Sequence, residues 1–134
     1  MMTQTLHVFS GTFGSRQNAC HYSEEQWEKP APDDSWSDED YSAWEDRNPT
    51  WALGGDLPVA HMDSDFVETI FGPDKIDYLK TQLKNETDRQ RLDAEIPQEA
   101  DTLVLIMSQA FDGEEVSLSS TPQLRYHGEF AWNI

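Results

Sequence analysis

Four residues in the middle of the chain have side chains that can bind a divalent metal ion. His61, Asp63 and Asp65 occur at alternate positions, and Glu68 follows three residues later. Alternate residues of an extended strand point to one face, so this spacing groups the ligands if no bulge intervenes. A small metal-dependent enzyme is therefore one interpretation of the sequence. The competing interpretation is a polar turn at a strand edge, because three ligands without a clear fourth are a weak metal signal.

Other reactive side chains do not form a catalytic arrangement. Cys20 directly precedes His21, and adjacent residues on a helix do not face each other. Residues 10–14 (SGTFG) follow a predicted strand but lack the Gly-Lys-Ser/Thr ending of a phosphate-binding loop. The sequence does not bring together a nucleophile, a base and an oxyanion donor. We therefore expect no catalytic residue, no bound metal and no cofactor, and we predict that the chain is not an enzyme.

A second group of residues indicates protein binding. Residues 24–46 contain ten carboxylates, one lysine, three tryptophans and a tyrosine. Carboxylates steer a basic partner and accelerate its association, and partly exposed aromatic rings supply the strongest contacts of interfaces. The alternative is a solvated acidic loop whose aromatic rings anchor it to the core. We call residues 23–51 the acidic segment. The residues predicted to contact a partner are Glu24, Glu25, Trp27, Glu28, Asp33, Asp34, Trp36, Asp38, Glu39, Asp40, Tyr41 and Trp44 in this segment, and Asp63, Asp65 and Glu68 in a second patch.

The composition limits the possible partners. The 134 residues fit one domain, residues 1–134, and the 26 acids against 9 bases give a net charge of −17. Nucleic acid and anionic membranes attract basic proteins, so neither is expected as a ligand. A single cysteine and the lack of a basic, apolar leader at the N-terminus predict a cytoplasmic protein. The composition leaves the oligomeric state open.

The distribution of apolar residues and breakers predicts an α+β domain. We expect a single, mostly antiparallel sheet with helices packed on one face. Strands are predicted at 5–13, 59–62, 66–71, 101–111, 114–120 and 123–134, with the last three in a meander. Helices are predicted at 15–22 and at 37–47. A Ser-x-x-Gln capping box at Ser23 predicts a further helix start. Another helix is predicted from Pro73, and helical character continues towards Pro97.

Three short motifs resemble a known family. The stretches "LHVFSGTFGS", "MDSDFVETI" and "MSQAF" are similar to the Immunity protein 22 family, whose members protect bacteria against polymorphic toxins. The matching positions are His7, Val8, Gly11 and Phe13, then Asp63, Asp65, Phe66, Val67 and Glu68, and more loosely Ser108 and Phe111. The acidic segment lies outside this pattern.

The resemblance implies a protein that binds and neutralises a cognate toxin, without catalysis and without a cofactor. Together with the charge, it predicts an immunity protein whose acidic, aromatic surface binds a basic toxin, such as a nuclease. Two alternatives stay open at this point. One is the metal-dependent enzyme built on His61, Asp63, Asp65 and Glu68, and the other is a general acidic adaptor or nucleic-acid mimic.

Overall fold

The computed structural model describes residues 3–59 and 61–133 and has the predicted α+β architecture. The elements in chain order are β1 (Thr3–Gly11), α1 (Arg16–Ser23), α2 (Asp38–Arg47), α3 (Ala52–Asp56), β2 (Val67–Phe71), α4 (Lys75–Gln82), α5 (Glu86–Glu95), β3 (Thr102–Met107) and β4 (Arg125–Asn133). Short 3₁₀ turns occupy Ser64–Phe66 and Ser108–Phe111. The four strands form one sheet in the order β2-β3-β1-β4, and every neighbouring pair is antiparallel. Among the described residues, no helix is both long and apolar enough to cross a bilayer.

The helices cover both faces of the sheet, whereas the sequence led us to expect one covered face. Alternate residues of β1 and β3 point in opposite directions, and each set is buried in its own core. Phe9, Val104 and Ile106 pack with Tyr22 of α1 and Leu53 of α3. On the other face, the buried core contains Leu6, Val8, Leu103 and Leu105 of the strands with Leu79, Leu83 and Leu92 from the α4–α5 region. Helix placement differs because β3 is apolar from Leu103 to Met107, and residues on both of its faces are buried.

Local capping signals predicted two helices correctly. Ser15 accepts a hydrogen bond from the backbone N–H of Asn18 and begins α1, and Ser37 accepts one from Asp40 and begins α2. The predicted capping box at Ser23 is wrong, because Ser23 ends α1 and its hydroxyl donates back to the Ala19 carbonyl. The helical character after Pro73 divides into α4 and α5, with Asn85 capping the second helix.

Two of the six predicted strands are absent from the described part of the chain. Residues 114–120 have no regular secondary structure, so β3 and β4 do not form a meander, and β4 pairs with β1 instead. Val59, His61 and Met62 are not in a strand, and Ala60 of the same prediction lies outside the described residues. A bulge opposite Val8, where Gly128 has a φ of 96°, lets β4 follow β1 over its whole length.

Candidate functional site

The acidic segment is attached to the fold at both ends. Near its beginning, the backbones of Gln26 and Thr50 exchange hydrogen bonds of 2.7 and 2.9 Å in an isolated antiparallel bridge. At its end, the indole N–H of Trp51 donates to the Ser23 carbonyl over 2.8 Å. The Trp51 ring also lies against Gly54, where an added Cβ would come within 2.6 Å of it. These contacts close the segment into a loop that contains α2.

Glu28 has a structural role inside this loop. Its carboxylate accepts hydrogen bonds from the Arg47 guanidinium at 2.9 Å and from the Asn48 amide at 2.8 Å. The Glu28 backbone N–H donates to Asn48, and the Glu28 carbonyl accepts from the indole of Trp44. The hydrogen bonds from Asn48 and Arg47 lower the pKa of the Glu28 carboxyl. Glu28 therefore fastens the loop to the C-terminal end of α2.

Three aromatic side chains of the acidic segment form one group, which we call the aromatic ledge (Trp27, Tyr41 and Trp44). Trp44 is 9% exposed, whereas Trp27 is 52% and Tyr41 is 45% exposed. Trp27 stacks on Trp44 with ring centroids 5.6 Å apart, and Tyr41 packs against Trp44 at 6.4 Å. One buried indole thus supports two exposed rings. Such rigid, amphipathic rings are typical of interface anchors.

Most carboxylates around the ledge lack a basic partner. Of the ten acids in the acidic segment, Glu28 alone forms an ion pair within the part of the chain that the structure describes. Asp38, Glu39 and Asp40 lie in the first turn of α2, where the helix dipole favours them. Glu45 and Asp46 lie in its last turn, where the same dipole disfavours them. Helix stability therefore does not account for the two carboxylates at the C-terminal end of α2.

The remaining predicted residues of the acidic segment have different surroundings. Trp36 is half-buried and lines a groove of about 320 Å³ beside α2, together with Asp40, Ala43 and Arg47. Asp33 is exposed and accepts hydrogen bonds from the hydroxyl and the backbone N–H of Ser35, which lower its pKa. The other two residues of the prediction are both exposed: Glu24 and Asp34.

The second predicted patch lies next to the start of the acidic segment. The Ser64 hydroxyl donates a hydrogen bond to Glu25, which joins the 3₁₀ turn at Ser64–Phe66 to this segment. Asp63 caps that turn by accepting from the backbone N–H of Asp65, and Asp65 is exposed. Glu68 lies further along, on β2, and accepts a hydrogen bond from the Tyr78 hydroxyl that raises the pKa of that phenol.

The residues proposed for metal binding do not form a ligand group. Among the described residues, no three His, Cys, Asp or Glu side chains lie close enough together to hold a metal ion. His61 is exposed and lines a shallow cavity with Trp51 and Met62, and the 3₁₀ turn after Asp63 breaks the strand alternation on which the metal hypothesis depended. Cys20 is half-buried, and burial, followed by the nearby Glu24, raises the pKa of its thiol. A raised pKa disfavours the thiolate that a nucleophile needs.

A cavity of about 480 Å³ near the β4 edge of the sheet was not predicted from the sequence. Residues from four separate stretches of the chain line it: Thr5, His7, Ser108, Phe111, Glu114, Glu115, Val116, Ser117 and Glu129. The His7 ring bonds the Tyr126 hydroxyl over 2.9 Å, and burial lowers the pKa of His7 although Glu129 opposes this. No local pattern connects these stretches, so only the fold reveals the cavity.

No protein-family model, curated protein or solved structure matches this chain. The resemblance to the Immunity protein 22 family therefore rests on the three short motifs alone.

Proposed function

We propose that this protein is an immunity-type inhibitor that binds a basic toxin through the acidic segment. The observation that carries the proposal is the combination of two exposed aromatic rings supported by Trp44 with nine carboxylates that have no basic partner among the described residues. The carboxylates attract the toxin over long range, and Trp27 and Tyr41 make the contacts that hold it. The motif resemblance supports the same function and suggests no catalytic chemistry.

The arrangement of charge also supports binding. Glu45 and Asp46 remain at the disfavoured end of α2, and the chain carries a net charge of −17. A general need for solubility does not require acids to be concentrated around exposed indole and phenol rings. A basic protein with an anion-binding active site, such as a nuclease, has the complementary charge.

The first experiment is capture of partners from a lysate of the source organism at low and high salt, with identification by mass spectrometry. The proposal expects one basic protein, held more weakly at high salt. The association rate of that purified partner is then measured for wild type and for the double variant Asp38→Lys/Glu39→Lys. We expect the variant to associate about tenfold more slowly at low ionic strength, with a flatter salt dependence.

A charge-matched control separates local from global effects. Asp77→Lys/Glu99→Lys makes the same change in net charge, and both residues are exposed outside the acidic segment. Asp77 also lies in the first turn of its helix, as Asp38 does. If both double variants associate equally slowly, the acidic segment is not the binding surface. Capture of several unrelated basic proteins would instead favour a general acidic adaptor.

A further inference from the structure

The sheet has two edge strands, β2 and β4, and the backbone groups that point outward can be assigned for each. The Gly72 N–H donates to the Asp101 carbonyl over 3.0 Å, which extends the β2–β3 register by one pair. Hydrogen-bonded and non-hydrogen-bonded pairs alternate in an antiparallel ladder, so Glu68 and Ile70 direct their backbone groups towards β3. The backbone groups of three β2 residues therefore point away from the sheet: Val67, Thr69 and Phe71.

The edge of β4 is closed by groups from the α4–α5 region. The Ala131 N–H donates to the Asp88 carboxylate at 2.9 Å, and the Ala131 carbonyl accepts from the Lys84 N–H at 3.1 Å. Arg91 donates to the carbonyls of His127 and Glu129, both at 2.8 Å. These bonds occupy outward-pointing groups along β4, so a further strand cannot add there.

The edge of β2 is closed only at its ends. The Val67 N–H bonds the Ser64 carbonyl, and the Phe71 carbonyl accepts from Arg16 at 3.4 Å. Between these, the Val67 carbonyl, both backbone groups of Thr69 and the Phe71 N–H have no protein partner in the parts of the chain that are described. All five residues of β2 are half-buried, as expected for a strand with one open side. An open edge of this kind accepts an additional strand.

The charge around the β2 edge indicates which kind of segment could pair with it. Glu68 lies within β2, Asp65 lies in the 3₁₀ turn that precedes it, and Glu25 is joined to that turn through Ser64. A second copy paired antiparallel through the middle of β2 would place the Glu68 side chains of the two chains opposite or diagonal to each other, and like charges that close destabilise paired strands. An extended segment carrying lysine or arginine on alternate residues would instead pair with Glu68 on one face. Its other residues would meet Val67, Thr69 and Phe71 on the opposite face. We propose that β2 receives such a basic, extended segment of another protein as a fifth strand of the sheet.

This inference is independent of the proposed function, because it depends on the β2 backbone and does not require the partner to be a toxin. The probe is a blocked eight-residue peptide of alternating lysine and valine, added to the ¹⁵N-labelled full chain. The amide protons of Thr69 and Phe71 report directly on pairing. We expect their exchange with solvent to slow by about tenfold when the peptide occupies nine-tenths of the protein. The same peptide with every backbone amide methylated keeps its charge, but the N-methyl groups remove its donors and obstruct the close approach of two strands, so it should give no protection.

Two substitutions at one position provide matched variants. Thr69→Pro removes the outward N–H without removing a hydrogen bond to β3, and proline is tolerated on edge strands for that reason. Thr69→Val keeps the N–H and removes only the hydroxyl that bonds Ser23. We expect Thr69→Pro to abolish peptide binding and Thr69→Val to retain it, with circular dichroism confirming that both fold. The comparison of the two peptides on the wild-type chain does not depend on either variant folding.

The proposal is overturned if neither peptide slows exchange of Thr69 and Phe71, or if both peptides act equally, which would indicate electrostatic attraction without pairing. It is also overturned if protection of these amides rises with protein concentration and no peptide is needed, because the occupant is then a second copy. Loss of association in the Asp38→Lys/Glu39→Lys variant concerns the acidic segment alone. The two proposals can therefore fail separately.

Discussion

Trp27 and Trp44 stack with their ring centroids 5.6 Å apart and their planes 28° from parallel. The first indole is 52% exposed and the second only 9%. Two chemically identical side chains therefore have different roles, one structural and one at the surface. Trp44 fastens the acidic segment by donating from its indole N–H to the Glu28 carbonyl, and Trp27 presents an aromatic surface to solvent.

This division predicts different effects of the same substitution. Trp44→Ala removes a buried ring and its hydrogen bond, so we expect the free energy of unfolding to fall by about 3 kcal/mol. Trp27→Ala removes one stacking contact on the surface and should cost about 1 kcal/mol. Urea unfolding measures both values. Binding of the captured partner should weaken by about 2 kcal/mol for Trp27→Ala, as for an interface hot spot. Equal stability losses would show that Trp27 is a structural anchor.

The last turn of α2 should show a conflict between stability and binding. Glu45→Lys/Asp46→Lys replaces carboxylates that the helix dipole disfavours with favoured cations, so we expect thermal stability to rise by about 1 kcal/mol. The same variant should slow association with the captured partner at low salt. If the variant is more stable but associates with the partner as fast as the wild type, Glu45 and Asp46 are not part of the binding surface.

Arg91 should prevent the β4 edge from pairing with another chain. Its guanidinium donates to two β4 carbonyls and lies 3.9 Å from the centre of the Phe130 ring. Arg91→Ala frees those carbonyls, so we expect concentration-dependent self-association in sedimentation velocity and a stability loss of about 2 kcal/mol. Arg89→Ala is the matched control. Arg89 also donates to two backbone carbonyls, but these belong to Lys80 and Leu83 and lie outside β4. Self-association of both variants alike would contradict the edge assignment.

Two buried histidines should make the protein less stable as the pH falls. Burial lowers the pKa of both His7 and His127 below the ordinary value of 6.5, although Glu129 and Glu95 respectively oppose the shift. Around and below pH 6.5 the unfolded state therefore binds more protons than the folded state. The stability that comes from keeping these two histidines neutral is fully present above pH 6.5. It is lost as the pH falls through 6.5 towards the lower folded-state pKa, by up to about 1.4 kcal/mol per pH unit and residue.

Urea unfolding between pH 7.5 and 5.5 measures this effect. His127→Gln can keep a hydrogen bond to the Ser10 hydroxyl, which the imidazole makes at 2.7 Å, and should flatten the pH dependence. The control is His21→Gln, because His21 is exposed on α1, and it should leave the slope unchanged. A wild-type slope that persists in the His127→Gln and His7→Gln variants would assign the dependence to other groups.

The sequence alone determined the features that depend on neighbours within a few residues. Ser15 and Ser37 were predicted as helix caps because a hydroxyl bonding the N–H three residues later needs no other part of the chain. A buried strand was predicted at 101–111 from its apolar run, and the structure confirms it over Thr102–Met107, whereas Ser108–Phe111 form a 3₁₀ turn. The concentration of carboxylates and aromatic rings in the acidic segment was likewise visible in the sequence, because it is a matter of composition.

The tertiary structure decided everything that depends on contacts between distant parts of the chain. The pairing of β4 with β1, rather than with β3, follows from a register between residues more than a hundred positions apart. The same applies to the closed β4 edge, the open β2 edge and the cavity of about 480 Å³ that His7 lines. Trp27 and Trp44 are equivalent in the sequence, and only the packing of α2 against the loop buries one and exposes the other. Local hydrogen bonds are encoded locally, whereas burial is a property of the folded chain as a whole.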